Sequence, residues 1–412
     1  MRRCARILAA SIAWAASSVV PAIATAEMDL PSWTEHVRLS GSADLGYFGG
    51  GSGSVETSEG FDVWDARFFV DAELGDSVAV GDTTLVRNMG FTFEWNLVRT
   101  GGLANDVGLA YLDLEGLGES SWLNFRVGRF QIPFGEAYKL YSKGYAKRTF
   151  VRQPLGGAWW WDEGVLLHGS ARNNRFGYLA SVTNGDSDFN DEGGGHQLTL
   201  KLWTQPWSCL YVSASGLWAS EMGDVDAALW LGEAWARPFG SGTGVPNVVD
   251  GAVVPDDADG LGSLWAAMMD VIVTPVDGVR LWLYGGHYAI DSRGAALYDR
   301  DLTFWLAELR LGGVLVSPVL APLFVGLRAD GLSTFDHDRG YLLDRRYDDT
   351  LGYDMQSYIA YTVVAGWHLG DYVTFRAEYS HRDVDVVSGA SSLLPSAGGN
   401  EDVFAVELGL HF

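Results

Sequence analysis

The stretch Asn88–Leu97 reads NMGFTFEWNL. Met89, Phe91, Phe93, Trp95 and Leu97 take one set of alternate positions, and Asn88, Gly90, Thr92, Glu94 and Asn96 take the other. Successive side chains of a β-strand point to opposite faces, so a period of two gives one apolar and one polar face. The same pattern runs through Trp64–Leu74, where Trp64, Ala66, Phe68, Val70, Ala72 and Leu74 oppose Asp65, Arg67, Phe69, Asp71 and Glu73. It returns in Val373–Ser380, with Val373, Phe375, Ala377 and Tyr379 against Thr374, Arg376, Glu378 and Ser380. The charged face is too polar for a dry core. A soluble sandwich would turn it to solvent, whereas a transmembrane barrel would turn it to a wet lumen and give the apolar face to lipid. A single strand fits either architecture, so strand number and loop length must decide.

Working outward, sixteen strands are expected, near 37–48, 62–75, 84–97, 107–116, 121–130, 163–172, 175–184, 196–205, 208–219, 262–275, 278–291, 301–312, 319–331, 357–369, 371–383 and 401–412. A segment near 228–237 is assigned to a loop. Most of these strands reach the length that crosses a bilayer when tilted. The connections at 76–83, 117–120, 173–174, 206–207, 276–277, 313–318 and Gly370 are short. Those at 49–61, 98–106, 131–162, 185–195, 220–261, 292–300, 332–356 and 384–400 are each longer than any of the short ones. Short turns at one end and long loops at the other mark an outer-membrane barrel. The expected fold is therefore all-β, a transmembrane antiparallel β-barrel of about 16 strands, with both termini on the periplasmic, short-turn side.

The N-terminus reads as a secretory signal peptide over residues 1–26: a basic MRRCAR, a run of apolar and small residues, and a small-x-small site before Glu27. Residues 27–412 are then one barrel domain. The chain has 28 basic and 52 acidic residues, and loss of Arg2, Arg3 and Arg6 with the signal would leave a net charge of −27. So acidic a surface argues against nucleic acid as a partner, since that binding needs cations. Cys209 would be the only cysteine left, which excludes an internal disulfide and a cysteine-based metal site. No later apolar run is long enough for a membrane-spanning helix. The last strand, EDVFAVELGLHF, alternates Phe404, Val406, Leu408 and Leu410 and ends on Phe412, an ending that resembles the signal read by the barrel assembly machinery.

One segment departs from the acidic background. From Gly128 to Gly164 the chain reads GRFQIPFGEAYKLYSKGYAKRTFVRQPLGGAWWWDEG, and its loop carries Lys139, Lys143, Lys147, Arg148 and Arg152. It follows the fifth strand and exceeds the length needed to join neighbours. A barrel of this size leaves an aqueous channel, so a long third loop folded into the lumen would set its constriction. FRVGRFQIPFG (Phe125–Gly135), the basic stretch through Arg152, DEGVLLHGS (Asp162–Ser170) and FGYLASVTNG (Phe176–Gly185) together resemble the phosphate-selective porin O and P family. The detailed match covers about sixty residues. The resemblance implies a sixteen-stranded channel, usually a homotrimer, with basic residues lining an anion path. It carries over to Lys139, Lys143, Lys147, Arg148 and Arg152, and Arg126 joins them because alternation puts it on the lumen face beside Asn124. Lumen-face Asp65, Asp71, Glu73, Glu94, Glu308, Glu378 and Glu407 depart from a uniformly basic lining. Some of them are expected to pair with Arg67, Arg310, Arg376 or Arg382.

Trp159, Trp160 and Trp161 read as an aromatic girdle or as packing of the loop on the wall, with a sugar-stacking slide as the alternative. The acidic stretches 186–195, 255–260 and 333–349 read as solvated loops. The first begins like a calcium loop, but Asp191 and Gln197 stand where that loop needs Gly and Glu. No nucleophile-elbow, zinc-protease or P-loop motif occurs, so no catalytic residue, cofactor or metal is assigned. The expected function is passive diffusion of small hydrophilic solutes across the outer membrane, biased to anions such as phosphate. The expected surroundings are outer-membrane lipid and lipopolysaccharide. The alternatives are a non-selective or cation-preferring porin, or a plugged structural or adhesion barrel.

Overall fold

In the computed structural model, residues 36–50, 60–75, 77–80, 83–99, 102–140, 148–151, 161–171, 174–185, 195–220, 247–249, 252–254, 263–291, 300–334, 341–342, 354–386 and 399–412 are described. Two units are distinguished, Met1–Arg38 and Leu39–Phe412, and the barrel belongs to the second. The expected signal peptide lies outside the described residues.

The first eight wall strands are β1 (Val37–Gly50), β2 (Gly60–Gly75), β3 (Asn88–Arg99), β4 (Gly102–Glu115), β5 (Asn124–Gln131), β6 (Trp161–Ser170), β7 (Phe176–Thr183) and β8 (Gln197–Trp207). The second eight are β9 (Leu210–Ala219), β10 (Ser263–Val273), β11 (Val279–Asp291), β12 (Arg300–Gly312), β13 (Leu323–Thr334), β14 (Asp354–Leu369), β15 (Val373–Val386) and β16 (Gly399–His411). Each pairs with its sequence neighbours, and β16 returns to β1 in antiparallel register from Ser42↔His411 to Gly50↔Val403. The sheet is thereby closed. At the seam, Gly41 N–H donates to the Phe412 carbonyl at 2.9 Å and Phe412 N–H to the Gly41 carbonyl at 3.1 Å. Both ends of the barrel sequence therefore lie at the short-turn end.

Burial runs opposite to that of a soluble sheet. On β8, Gln197, Thr199 and Lys201 are buried, while Leu198, Leu200 and Leu202 are exposed. On β3, Thr92, Glu94 and Asn96 are buried, while Trp95 and Leu97 are exposed. The polar set faces inward and the apolar set outward, the inversion required when the outer solvent is hydrocarbon.

Three connections differ from expectation. Arg99 pairs with Gly102, so β3 and β4 run on through most of the expected 98–106 loop. Conversely, Val78–Val80 and Thr83–Val86 form a small hairpin within the turn after β2, and β3 starts at Asn88 rather than near 84. The alternation of loop lengths therefore fails at this pair, and again at 313–322, where two 3₁₀ turns precede β13 and the connection is longer than that at 292–299. A second small hairpin joins Asn247–Val249 to Ala252–Val254 in the long connection after β9, and Tyr341–Leu342 adds to the end of β14. The segment near 228–237 lies outside the described residues.

If the outward face meets lipid, Leu200→Arg should lower unfolding free energy in lipid vesicles by about 2–4 kcal/mol. Thr199→Ser, one residue away on the inward face, should change it by under about 1 kcal/mol. Equal losses in urea titrations of the two variants would contradict the assigned faces.

Candidate functional site: the segment after the fifth strand

The chain leaves β5 through Ile132, Pro133, Phe134 and Gly135, all buried. Gly135 has φ +68°, and a side chain there would run into the Met268 sulfur, so glycine permits both the turn and the close approach. Gly135 N–H donates to Ser215 Oγ on β9 at 3.1 Å, and the Gly135 carbonyl accepts from Lys201 Nζ on β8. Glu136 then meets three polar groups. Lys201 Nζ is 2.5 Å away, Lys139 Nζ is 2.8 Å away, and the Tyr211 hydroxyl donates to the carboxylate. The Phe134 ring lies 5.7 Å from that of Tyr288, tilted by 45°, on an inward aromatic patch that also holds Trp282, Tyr284 and Phe304. A one-turn helix, α1 (Ala137–Leu140), follows.

The next described residues, Arg148 to Val151, lie against a different part of the wall. Arg148 forms an ion pair with Glu407 on β16 and approaches Asp44 on β1 at 3.6 Å. Its carbonyl accepts from Arg376 on β15 at 3.0 and 3.2 Å. Val151 N–H donates to Glu378 at 2.7 Å. Phe150 lies beneath the Arg328 guanidinium at 4.0 Å, in space that the missing side chain of Gly326 leaves open. Ser215 on β9 and Asp44 on β1 stand eight strands apart in either direction around the closed sheet. The described ends of the segment, residues 135–140 and 148–151, therefore lie against opposite walls, and the wall groups named here belong to the inward set.

The sequence-predicted cations fall into distinct environments. Lys139 has a side chain 47% exposed, tied on one side to Glu136. Arg148 is 1% exposed and paired with two carboxylates, so it holds the segment in place and does not face open lumen. Arg126 is on the inward face as expected. It pairs with Asp113 at 2.5 Å, lies 4.0 Å over the Tyr111 ring, and shares Asp113 with His168 at 3.0 Å. Lys143, Lys147 and Arg152 lie outside the described residues, as do Trp159, Trp160 and the acidic stretches 186–194 and 255–260. Trp161 is buried on the inward side of β6 with Phe69, Leu109, Tyr111, Phe130 and Leu166, and so packs the wall instead of joining an outer girdle.

Much of the acidic lining is neutralised. Arg67 binds Asp65 at 2.7 Å and Glu94 at 3.2 Å, and Arg376 binds Glu407 at 2.5 Å, as the alternation suggested. Glu308 pairs with Arg328 at 2.9 Å, a cation the sequence reading passed over although Leu323–Leu332 alternates plainly enough to place it inward. Arg310 bonds His368 at 3.1 Å rather than a carboxylate. Among the described residues, no cluster of three or more His, Cys, Asp or Glu side chains is arranged to hold a metal ion.

No protein-family model matches the chain, and no curated protein matches it. Solved structures do match its fold. An anion-selective porin from Comamonas acidovorans aligns with TM-score 0.58 at 10% identity, over 91% of this chain and 99% of that one. The trimer form of OmpT, an outer membrane protein of Vibrio cholerae, aligns with TM-score 0.57 at 11% identity over 91% and 99%. The outer membrane channel DcaP of Acinetobacter baumannii aligns with TM-score 0.55 at 12% identity over 91% and 97%. The chain thus shares the sixteen-stranded porin fold with proteins of very different sequence.

Burial pushes the Glu136 carboxyl up, but the charges of Lys201 and Lys139 outweigh it and hold the carboxyl below the ordinary glutamate value. A depressed carboxyl adds stability that is full above about pH 4 and lost as pH falls through its lowered value. Hydrogen exchange over residues 132–140 should therefore stay slow at mildly acidic pH and quicken only below that range. Lys201→Met leaves a buried carboxylate without its main cation, costing about 3–5 kcal/mol. In that variant the same amides should exchange faster at neutral pH. Unchanged protection would show that the ion pair does not hold this end of the segment.

Proposed function

We propose that this chain is an outer-membrane channel for passive diffusion of small hydrophilic solutes, narrowed by the segment between β5 and β6. One observation carries the reading: a closed sheet of sixteen strands with its polar face buried inside and its apolar face exposed outside. A barrel of that size encloses more space than its own side chains fill. The link from Ser215 on β9 to Asp44 on β1 supports a crossing segment that divides the space without sealing it. The resemblance of Phe125–Gly135 and the stretches after it to phosphate-selective porins supports a bias to anions, phosphate among them. So does the structural likeness to a porin described as anion-selective.

The bias would come from cations facing the narrowed lumen. Between low-dielectric walls such charges concentrate counter-ions and exclude ions of their own sign. Lys139 is the described member, with Lys143, Lys147 and Arg152 proposed beside it. Arg148 instead holds the segment, and Arg126 serves the wall next to it. Ion-paired wall carboxylates contribute little field of their own, so an acidic composition and an anion-preferring constriction are compatible. We further assign the short-turn end to the periplasm and the apolar belt to lipid and lipopolysaccharide. Delivery by the barrel assembly machinery through β16, and assembly as a homotrimer, complete the reading.

The test is planar-bilayer conductance in a KCl gradient, with Lys139, Lys143, Lys147 and Arg152 together changed to Gln and Arg148 kept. Discrete steps with an anion-side reversal potential, moving toward the cation side in the variant, would support the filter. Steps with an unchanged reversal potential would keep the channel and reject the filter. Absence of steps from correctly folded protein would reject the channel. Arg148→Gln should instead raise current noise, by loosening the segment.

A further inference from the structure

The inward face of the barrel carries a second cationic feature, far from the crossing segment in sequence. Six neighbouring strands, β11 to β16, each place one inward residue within three positions of the short-turn end: Arg280, Arg310, Phe324, His368, Thr374 and His411. Arg280 and Arg310 are register partners. Like charges directly opposite on a sheet destabilise it unless a counter-charge lies nearby. The carboxylates one layer deeper are engaged elsewhere, Glu308 with Arg328 and Glu407 with Arg376 and Arg148. Among the described residues, neither Arg280 nor Arg310 has an ion-pair partner.

The hydrogen bonds of this shelf have one direction. Arg310 lies 3.1 Å from His368 Nε2, His368 Nδ1 lies 3.1 Å from Thr374 Oγ1, and Thr374 Oγ1 lies 3.4 Å from His411 Nε2. A guanidinium only donates, so His368 must accept at Nε2 and carry its proton on Nδ1. Thr374 then accepts from His368 and donates onward to His411 Nε2, which leaves the His411 proton on Nδ1. Every group left over is a donor. Arg310 Nε and His411 Nδ1 have no hydrogen-bond partner. Aromatic rings hold the cations in place: Arg310 lies 4.9 Å over Phe324, Arg280 lies 5.2 Å over Trp282, and Phe324 lies 4.9 Å from the His368 ring.

We propose that this shelf is a binding site for a small oxyanion of more than one charge, such as inorganic phosphate, at the short-turn mouth of the barrel. Two guanidiniums on adjacent strands, backed by rings, suit the paired oxygens of a tetrahedral oxyanion better than a spherical halide. The oxyanion would supply the counter-charge that the Arg280–Arg310 pair lacks. The site deepens the channel reading by giving a solute that has passed the crossing segment a second station on the opposite side. The shelf itself exists whether or not the barrel conducts.

Calorimetric titration of the detergent-solubilised barrel with phosphate therefore tests it directly. Wild type should show saturable binding, competed by sulfate and far less by chloride. Arg280→Gln with Arg310→Gln should weaken it about tenfold or more, the loss expected from removing charge-assisted bonds. Arg280→Lys with Arg310→Lys should recover part of it. No saturable binding by wild type, or binding indifferent to the glutamine pair, would overturn the proposal, provided that heat-modifiable mobility shows the variant barrel folded. Conductance steps in KCl from the same preparations report on the channel reading separately. Steps without phosphate binding reject the shelf alone, and binding without steps rejects the channel alone.

Discussion

The closing of the sheet is the constraint on which the rest of the molecule depends. Hydrocarbon offers no partner to a backbone N–H or C=O, so a strand edge left open there would be prohibitively costly. The β1–β16 pairing removes the last edges, and it joins the two ends of the barrel sequence at Gly41 and Phe412. Once the ring is closed, alternation leaves each strand with one lipid face and one lumen face. Every inward charge must then find its partner within the lumen, because the opposite face has none to offer.

That confinement explains the ion-pair pattern. Arg67, Arg328 and Arg376 each meet carboxylates on their own or nearby strands, within the inward layer. The segment after β5 uses the same chemistry at longer range. It is held by Lys201 and Ser215 at one wall, and by Glu407, Asp44 and Glu378 at the other. Breaking a buried pair by removing one partner costs far more than the pair itself contributes. The two attachments therefore restrict where the ends of the segment sit more than they stabilise the barrel.

The basic stretch shows how charge in a sequence differs from charge at a site. Five cations in one loop look alike on paper, yet Arg148 is consumed in attachment while Lys139 keeps nearly half of its side chain exposed. Arg280 and Arg310, described residues on neighbouring strands, emerge without carboxylate partners. Neither outcome follows from local pattern. Both depend on which carboxylates reach each cation after the ring has closed.

The wall was legible from the sequence because a β-face is a local property: Asn88–Leu97 sorts its residues by period two whatever lies next to it. The strand count and the inverted faces followed from repeating that reading. The reading erred where the backbone and not the face was at issue, as at Arg99 and Gly102, where strand pairing replaced most of a loop, and in the hairpin of Val78–Val86. The sequence alone thus determined a sixteen-stranded barrel with a polar interior, and the long basic segment following its fifth strand. Only the tertiary structure decided that the described ends of this segment lie on opposite walls, that Arg148 meets Glu407, and that Arg280 and Arg310 are left without carboxylate partners. The physical reason is that burial and pairing are settled by distances across the lumen, between residues hundreds of positions apart in the chain.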